Sequence, residues 1–194
     1  AYSNGYSLGE IIGRGGTSGI GVFSFDFGGF IVDGGHSLKS KSSFLPSSAS
    51  QAKPPQLLAH YDFPDDWEIL LVILDSKNTV NGQKEVNIFQ DYCPVPKNEV
   101  EQTSHIIFMN MIPFLLERDL PAFGHSIDEI QKRGFKNVEV SLQSQQIRDL
   151  MDKLREIGAY GVGMSSFGPT VYSVFDKNNK HIVEEIKELS LIHI

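Results

Sequence analysis

Cysteine is nearly absent. Cys93 stands alone among 194 residues, so no internal disulfide can form and no zinc site built on several thiolates is available. With no oxidative framework, the sequence predicts a reducing, cytoplasmic setting. No apolar run reaches the length of a bilayer crossing, and no signal-peptide pattern is visible. Both predict a protein without a membrane partner. Basic residues are in deficit, 17 Lys and Arg against 24 Asp and Glu for a net charge of −7. That balance argues against a nucleic-acid partner.

Glycine is plentiful and clustered. The run Gly13-Arg14-Gly15-Gly16-Thr17-Ser18-Gly19-Ile20-Gly21 lets the backbone come close to an anion and aim bare N–H groups at it. An apolar stretch follows, so the loop is expected to open a helix whose N-terminus adds partial positive charge. Arg14 supplies a forked, permanently charged donor suited to phosphate. The run therefore reads as a phosphate or pyrophosphate site; a bland glycine turn is the plainer account. A second cluster, Gly158 to Thr170, holds Gly161, Gly163, Ser165, Ser166 and Gly168. Its small residues suit close packing against another backbone as well as a ligand.

The hydrophobic pattern places the elements. A helix is expected over Thr17 to Phe27, capped by Thr17 or Ser18 and ended by Gly28-Gly29. Strands are expected at Phe30–Val32, Leu57–Phe63, Trp67–Leu74 and Thr170–Phe175. The continuous apolar run from Trp67 reads as a strand buried on both faces. Ser37 to Pro55, rich in Ser, Lys, Pro and Ala, reads as a long mobile loop of lid type. Helices are expected at Gly82–Tyr92, at Asn98–Arg118 with a kink at Pro113, at Leu120–Arg133, at Ser144–Ile157 and at His181–Leu189. The long one would carry its apolar face on Val100, Ile107, Met111, Phe114 and Leu115. Strands and helices mix without a βαβ repeat, which favours an α+β layered fold.

These residues carry a resemblance. Thr17-Ser18-Gly19-Ile20-Gly21 through Phe27-Gly28-Gly29 resembles the glycine–serine motif and following helix of the GHMP kinase superfamily, and Gly161 to Gly168 its C-terminal glycine motif. The stretch 13–21, Asp33-Gly34-Gly35-His36, Phe44 to Ser50, Tyr61-Asp62-Phe63-Pro64 and Met164 to Thr170 resemble one branch, the archaeal β-ribofuranosylaminobenzene 5′-phosphate synthases. The resemblance implies a two-domain fold, with the C-terminal part of an S5-like N-terminal domain over 1–80 and a ferredoxin-like C-terminal domain over 81–194.

It also implies a transferase. Phosphoribosyl pyrophosphate and 4-amino- or 4-hydroxybenzoate would condense with loss of CO2 and pyrophosphate, leading to tetrahydromethanopterin. The alternative is an ATP-dependent small-molecule kinase of the same superfamily. Many of those kinases carry an aspartate where this chain has Gly21, and glycine cannot orient a hydroxyl. Pyrophosphate departure calls for Mg2+. Asp33 is the candidate for metal or sugar-hydroxyl contact, with a turn aspartate binding its own backbone as the plainer account. Arg14 or His36 would hold the acid's carboxylate. Asp33 and His36 are thus the catalytic candidates. Arg14, Gly15, Gly16, Thr17, Ser18, Gly19, Ser165, Ser166 and Gly168 are the phosphate- and substrate-binding candidates.

Residues 1–12 predict no strand to anchor the glycine loop. The sequence is therefore read as lacking the N-terminal part of its protein, and 191–194 as a frayed or foreign tail. Such a piece is expected to be inactive. It would stay bound to its missing part or pair an open sheet edge with a second copy, as a homodimer.

Overall fold

The computed structural model describes residues 4–37, 39–41, 43–74, 80, 82–179, 181, 182, 184 and 185. The chain divides into two units, one of Ala1–Phe63 with Val80–Pro94, the other of Pro64–Thr79 with Val95–Ile194.

In the first unit the chain opens on helix α1 (Gly5–Ile12), where no element was expected. Asn4 caps it, accepting from the Ser7 N–H at 2.9 Å, and Gly13 ends it in the left-handed conformation, φ 69°. Helix α2 (Ile20–Phe27) lies against α1. The Asp26 carboxylate receives the Gly5 N–H at 2.7 and 2.8 Å, and a Cβ on Gly5 would sit 2.9 Å from the Val22 carbonyl oxygen. Glycine is required at that approach. Strands β1 (Phe30–Asp33) and β2 (Leu57–Tyr61) pair antiparallel, Ile31 opposite His60. Helix α3 (Gly82–Tyr92) buries Ile88.

The second unit holds an antiparallel sheet in the order β3-β5-β4, from β3 (Trp67–Ile73), β4 (Tyr160–Met164) and β5 (Thr170–Asp176). Helix α8 (Gln145–Glu156), capped by Ser144, packs Ile147, Met151 and Leu154 on one sheet face with Val162, Met164 and Val171. Helix α6 (Leu120–Gln131) packs closely on β4. A Cβ on Gly124 would lie 2.7 Å from the Gly161 nitrogen, and one on Gly161 3.0 Å from Gly124 Cα. The second glycine cluster thus forms strand β4 and seats a helix on it.

Three expectations need correction. The run from Trp67 is not buried on both faces: β3 is an edge strand whose Leu70 and Val72 reach the core while Ile69, Leu71 and Ile73 are exposed. The long helix is broken into α4 (Lys97–His105), a π-helical stretch (Ile106–Met111) and α5 (Ile112–Glu117), ended by Arg118 at φ 59°. Pro113 has no N–H to give, and the wider π turn just before it takes up the misfit. The extra residue shifts the buried face to Ile106, Met111, Ile112 and Leu115, leaving Val100 exposed. Gly134 does not merely end α6; it starts another helix, α7 (Gly134–Ser141).

Of the closing helix, His181, Ile182, Glu184 and Glu185 are helical, and 186–189 lie outside the described residues, as does the 191–194 tail. Among the described residues no helix is long and apolar enough to cross a membrane.

Candidate functional site

The glycine run of the first unit forms the loop between α1 and α2. Its ends are pinned. The Arg14 N–H donates to the Gly9 carbonyl at 2.8 Å, and the Gly19 N–H to Asp33 Oδ2 at 2.8 Å. Between them, the backbone N–H groups of Gly15, Gly16, Thr17 and Ser18 meet no acceptor among the described residues. Backbone donors on buried residues are normally paired, and Gly15 and Gly16 are buried. Four successive backbone donors of the loop are thus left open among the described residues.

Packing explains the glycines. Gly15 has φ 82°, and a Cβ there would stand 2.9 Å from Pro54. At Gly19 it would stand 2.7 Å from the Phe23 ring. The loop is pressed against the Pro54-Pro55 end of the segment leading into β2.

Helix α2 begins after Gly19, so Thr17 does not cap it, while the Ser18 hydroxyl oxygen accepts the Ile20 N–H of its first turn at 3.3 Å. The Thr17 hydroxyl donates to the Leu45 carbonyl at 2.7 Å, and the Ser18 hydroxyl to Asp33 Oδ2 at 2.9 Å. Asp33 also accepts the Gly35 N–H through Oδ1 at 2.9 Å. Its carboxylate thus serves three donors and braces the loop. His36 meets the Lys53 carbonyl through Nε2 at 2.8 Å.

A cleft of about 440 Å3 opens beside the loop, lined by Arg14, Gly15, Ser18 and Gly21 and walled by Leu8, Val22 and Phe25. The Arg14 guanidinium has no acidic partner among the described residues. At Gly21 no atom lies within 4 Å of where a Cβ would stand. Thr17, Asp33 and His36 are not among the residues lining the cleft.

Lys41 gave no signal in the sequence beyond its place in a Ser/Lys-rich stretch. Its ammonium donates to the Gly16 carbonyl at 2.7 Å, the Leu45 carbonyl at 2.7 Å and Thr17 Oγ1 at 3.0 Å. Burial lowers its proton affinity, against which the nearby Cys93 acts weakly. The same burial pushes the Cys93 thiol up. The stretch expected as a long mobile loop of lid type is bonded to the glycine loop at Lys41 and Leu45, and Pro46 within it is fully buried.

In the second unit, Ser165, Ser166 and Gly168 form the β4–β5 hairpin. The Ser165 N–H donates to Thr170 and the Gly168 N–H to the Ser165 carbonyl, both at 2.9 Å. Lys136 holds the Met164 and Ser166 carbonyls, each at 3.2 Å, and Gln143 holds Phe167 at 2.7 Å. The two serine hydroxyls are exposed and meet no partner among the described residues.

Residues 111–189 match the family described as GHMP kinases C terminal. Over 94% of its length the chain is 54% identical to a protein of Methanothermobacter thermautotrophicus named beta-ribofuranosylphenol 5'-phosphate synthase, covering 55% of that protein. Proteins of the same name from Methanocaldococcus jannaschii and Archaeoglobus fulgidus are 48% and 49% identical over 96% and 93% of the chain, which covers 56% of each. The chain spans about half the length of the curated relatives it matches. Residues 111–189 thus carry a GHMP kinase C-terminal domain within an α+β fold, and over 93–96% of its length the chain is similar to three archaeal proteins named beta-ribofuranosylphenol 5'-phosphate synthase.

Proposed function

We propose that the protein is a synthase that joins the sugar carbon of phosphoribosyl pyrophosphate to the ring of 4-hydroxybenzoate. The products are β-ribofuranosylphenol 5′-phosphate, CO2 and pyrophosphate. The bond from C1′ to the ring carbon forms as the C1′–O bond to pyrophosphate breaks. The electrons of the ring–carboxylate bond return to the ring as CO2 leaves. The relatives' name, with a phenol bearing the sugar, favours the hydroxy acid over 4-aminobenzoate. The product would serve tetrahydromethanopterin synthesis.

The observation that carries the reading is the row of N–H groups from Gly15 to Ser18, open among the described residues, beside Arg14, which has no acidic partner among them. These donors bind phosphate oxygens, and the Arg14 fork neutralises their charge. Gly19 and Asp33 keep the loop in that shape. In the second unit the exposed Ser165 and Ser166 hydroxyls are donors suited to a phosphate oxygen, whereas the Gly168 N–H is taken by the Ser165 carbonyl; in the first unit His36 offers its second ring nitrogen to the acid. Among the described residues no three His, Cys, Asp or Glu side chains gather as metal ligands, and the Asp33 carboxylate is engaged by its own loop. We propose that Mg2+ arrives on the pyrophosphate, as it commonly does.

The full-length protein, given phosphoribosyl pyrophosphate, 4-hydroxybenzoate and Mg2+, is expected to release CO2 and pyrophosphate without ATP. Strict dependence on ATP, with ADP as product, moves the protein to the kinase reading. Arg14→Ala is expected to weaken phosphoribosyl pyrophosphate binding by about ten- to a hundred-fold, roughly 1.5–3 kcal/mol, and benzoate binding less. Unchanged affinity in calorimetry removes Arg14 from the site.

A further inference from the structure

The three hydrogens of the Lys41 ammonium are all used, on the Gly16 carbonyl, the Leu45 carbonyl and the Thr17 hydroxyl. The Thr17 hydroxyl passes its own hydrogen to Leu45, so a closed ring of bonds ties the glycine loop to the segment after β1. No carboxylate pairs with Lys41 among the described residues.

This ring has a directional effect. The Gly16–Thr17 peptide is trans. In a trans peptide the carbonyl oxygen and the next N–H point to opposite sides of the chain. Because the Gly16 carbonyl is held by Lys41, the Thr17 N–H faces away from Lys41. That N–H is one of the four open donors. Gly16 has no Cβ to restrict its rotation, so the orientation of this peptide plane depends on what grips its oxygen.

We infer that Lys41 is a positioning residue for phosphate binding: it does not touch the ligand but turns the Thr17 N–H to the opposite side of the loop by holding the other end of the same peptide. Its charge behind the loop adds to the attraction for an anion. This rests on the reading of the glycine loop as the phosphate site.

The test uses the full-length protein and the variants Lys41→Met, Lys41→Gln and Lys41→Arg. The readouts are KM for each substrate, kcat, and hydrogen exchange at residues 15–18 with and without inorganic pyrophosphate. Lys41→Met is expected to raise KM for phosphoribosyl pyrophosphate by about tenfold or more, as expected for a lost binding contribution. KM for 4-hydroxybenzoate and kcat at saturation should stay within about twofold. Lys41→Arg, which keeps a charged donor, should restore much of the loss. Lys41→Gln, smaller and uncharged, should not, and comparison of these two carries the test if the Met variant does not fold. An unchanged KM for phosphoribosyl pyrophosphate overturns the inference. So does an equal loss in kcat and both KM values that arginine does not rescue. If pyrophosphate protects residues 15–18 equally in the native protein and in Lys41→Met, only the role of Lys41 falls. If it fails to protect them in the native protein, the phosphate reading of the loop falls first and this inference with it.

Discussion

Tyr172 shows how one side chain ties local packing to pH. It lies on β5 opposite Gly163 of β4, and a Cβ on Gly163 would come within 2.4 Å of its ring. Burial, aided by the negative charge of Asp128, pushes its phenol up to about 12 from an ordinary value of 10.0. The folded state keeps this proton after the unfolded chain has released it. Between those two values the folded state therefore binds more protons, and stability falls as pH rises. The loss due to Tyr172 is expected to reach roughly 2–3 kcal/mol near the upper value. Denaturant unfolding from pH 9 upward checks it, since Tyr172→Phe should flatten that part of the curve. If the native protein and Tyr172→Phe lose stability in parallel, the phenol is not held up by its surroundings.

At the scale of elements, the contact of α6 with β4 depends on two glycines. Gly124→Ala would place a methyl carbon 2.6 Å from Tyr160 Cβ and 2.7 Å from the Gly161 nitrogen. Backbone cannot yield as a side-chain tip can, so overpacking of about 1–3 kcal/mol is expected, seen as a melting temperature lower by several degrees. A melting temperature equal to that of the native protein would mean α6 does not sit this close. Much of this layer was legible in the sequence. The helix expected over Ser144–Ile157 and the strand expected over Thr170–Phe175 are α8 and β5. Helix α1 was hidden because its contacts come from Asn4 and from distant Asp26, with glycines where a periodic apolar face would have announced it. Strand β4 was hidden for the same reason, as glycine carries no alternation signal. At the candidate site the dense glycines and Arg14 announced the loop. Lys41 was silent because two of its partners are backbone oxygens, which only the folded path of the chain brings together.

For the whole molecule, the family match begins at residue 111, whereas the sheet of that unit takes its edge strand β3 from 67–73. Strand β3 pairs with β5 along seven residues and sends Leu70 and Val72 into the core. A piece of residues 95–194 is therefore expected to be less stable than one of 64–194, and more prone to self-association through the uncovered edge of β5. Circular dichroism melting and light scattering on the two pieces check this, and equal behaviour would show β3 to be dispensable. The chain passes between the two units three times, near residues 63, 79 and 94. A protease that nicks one crossing leaves both units joined by the other two. Neither can be inherited, lost or exchanged as one uninterrupted stretch of gene, so no single recombination point parts one unit whole from the other.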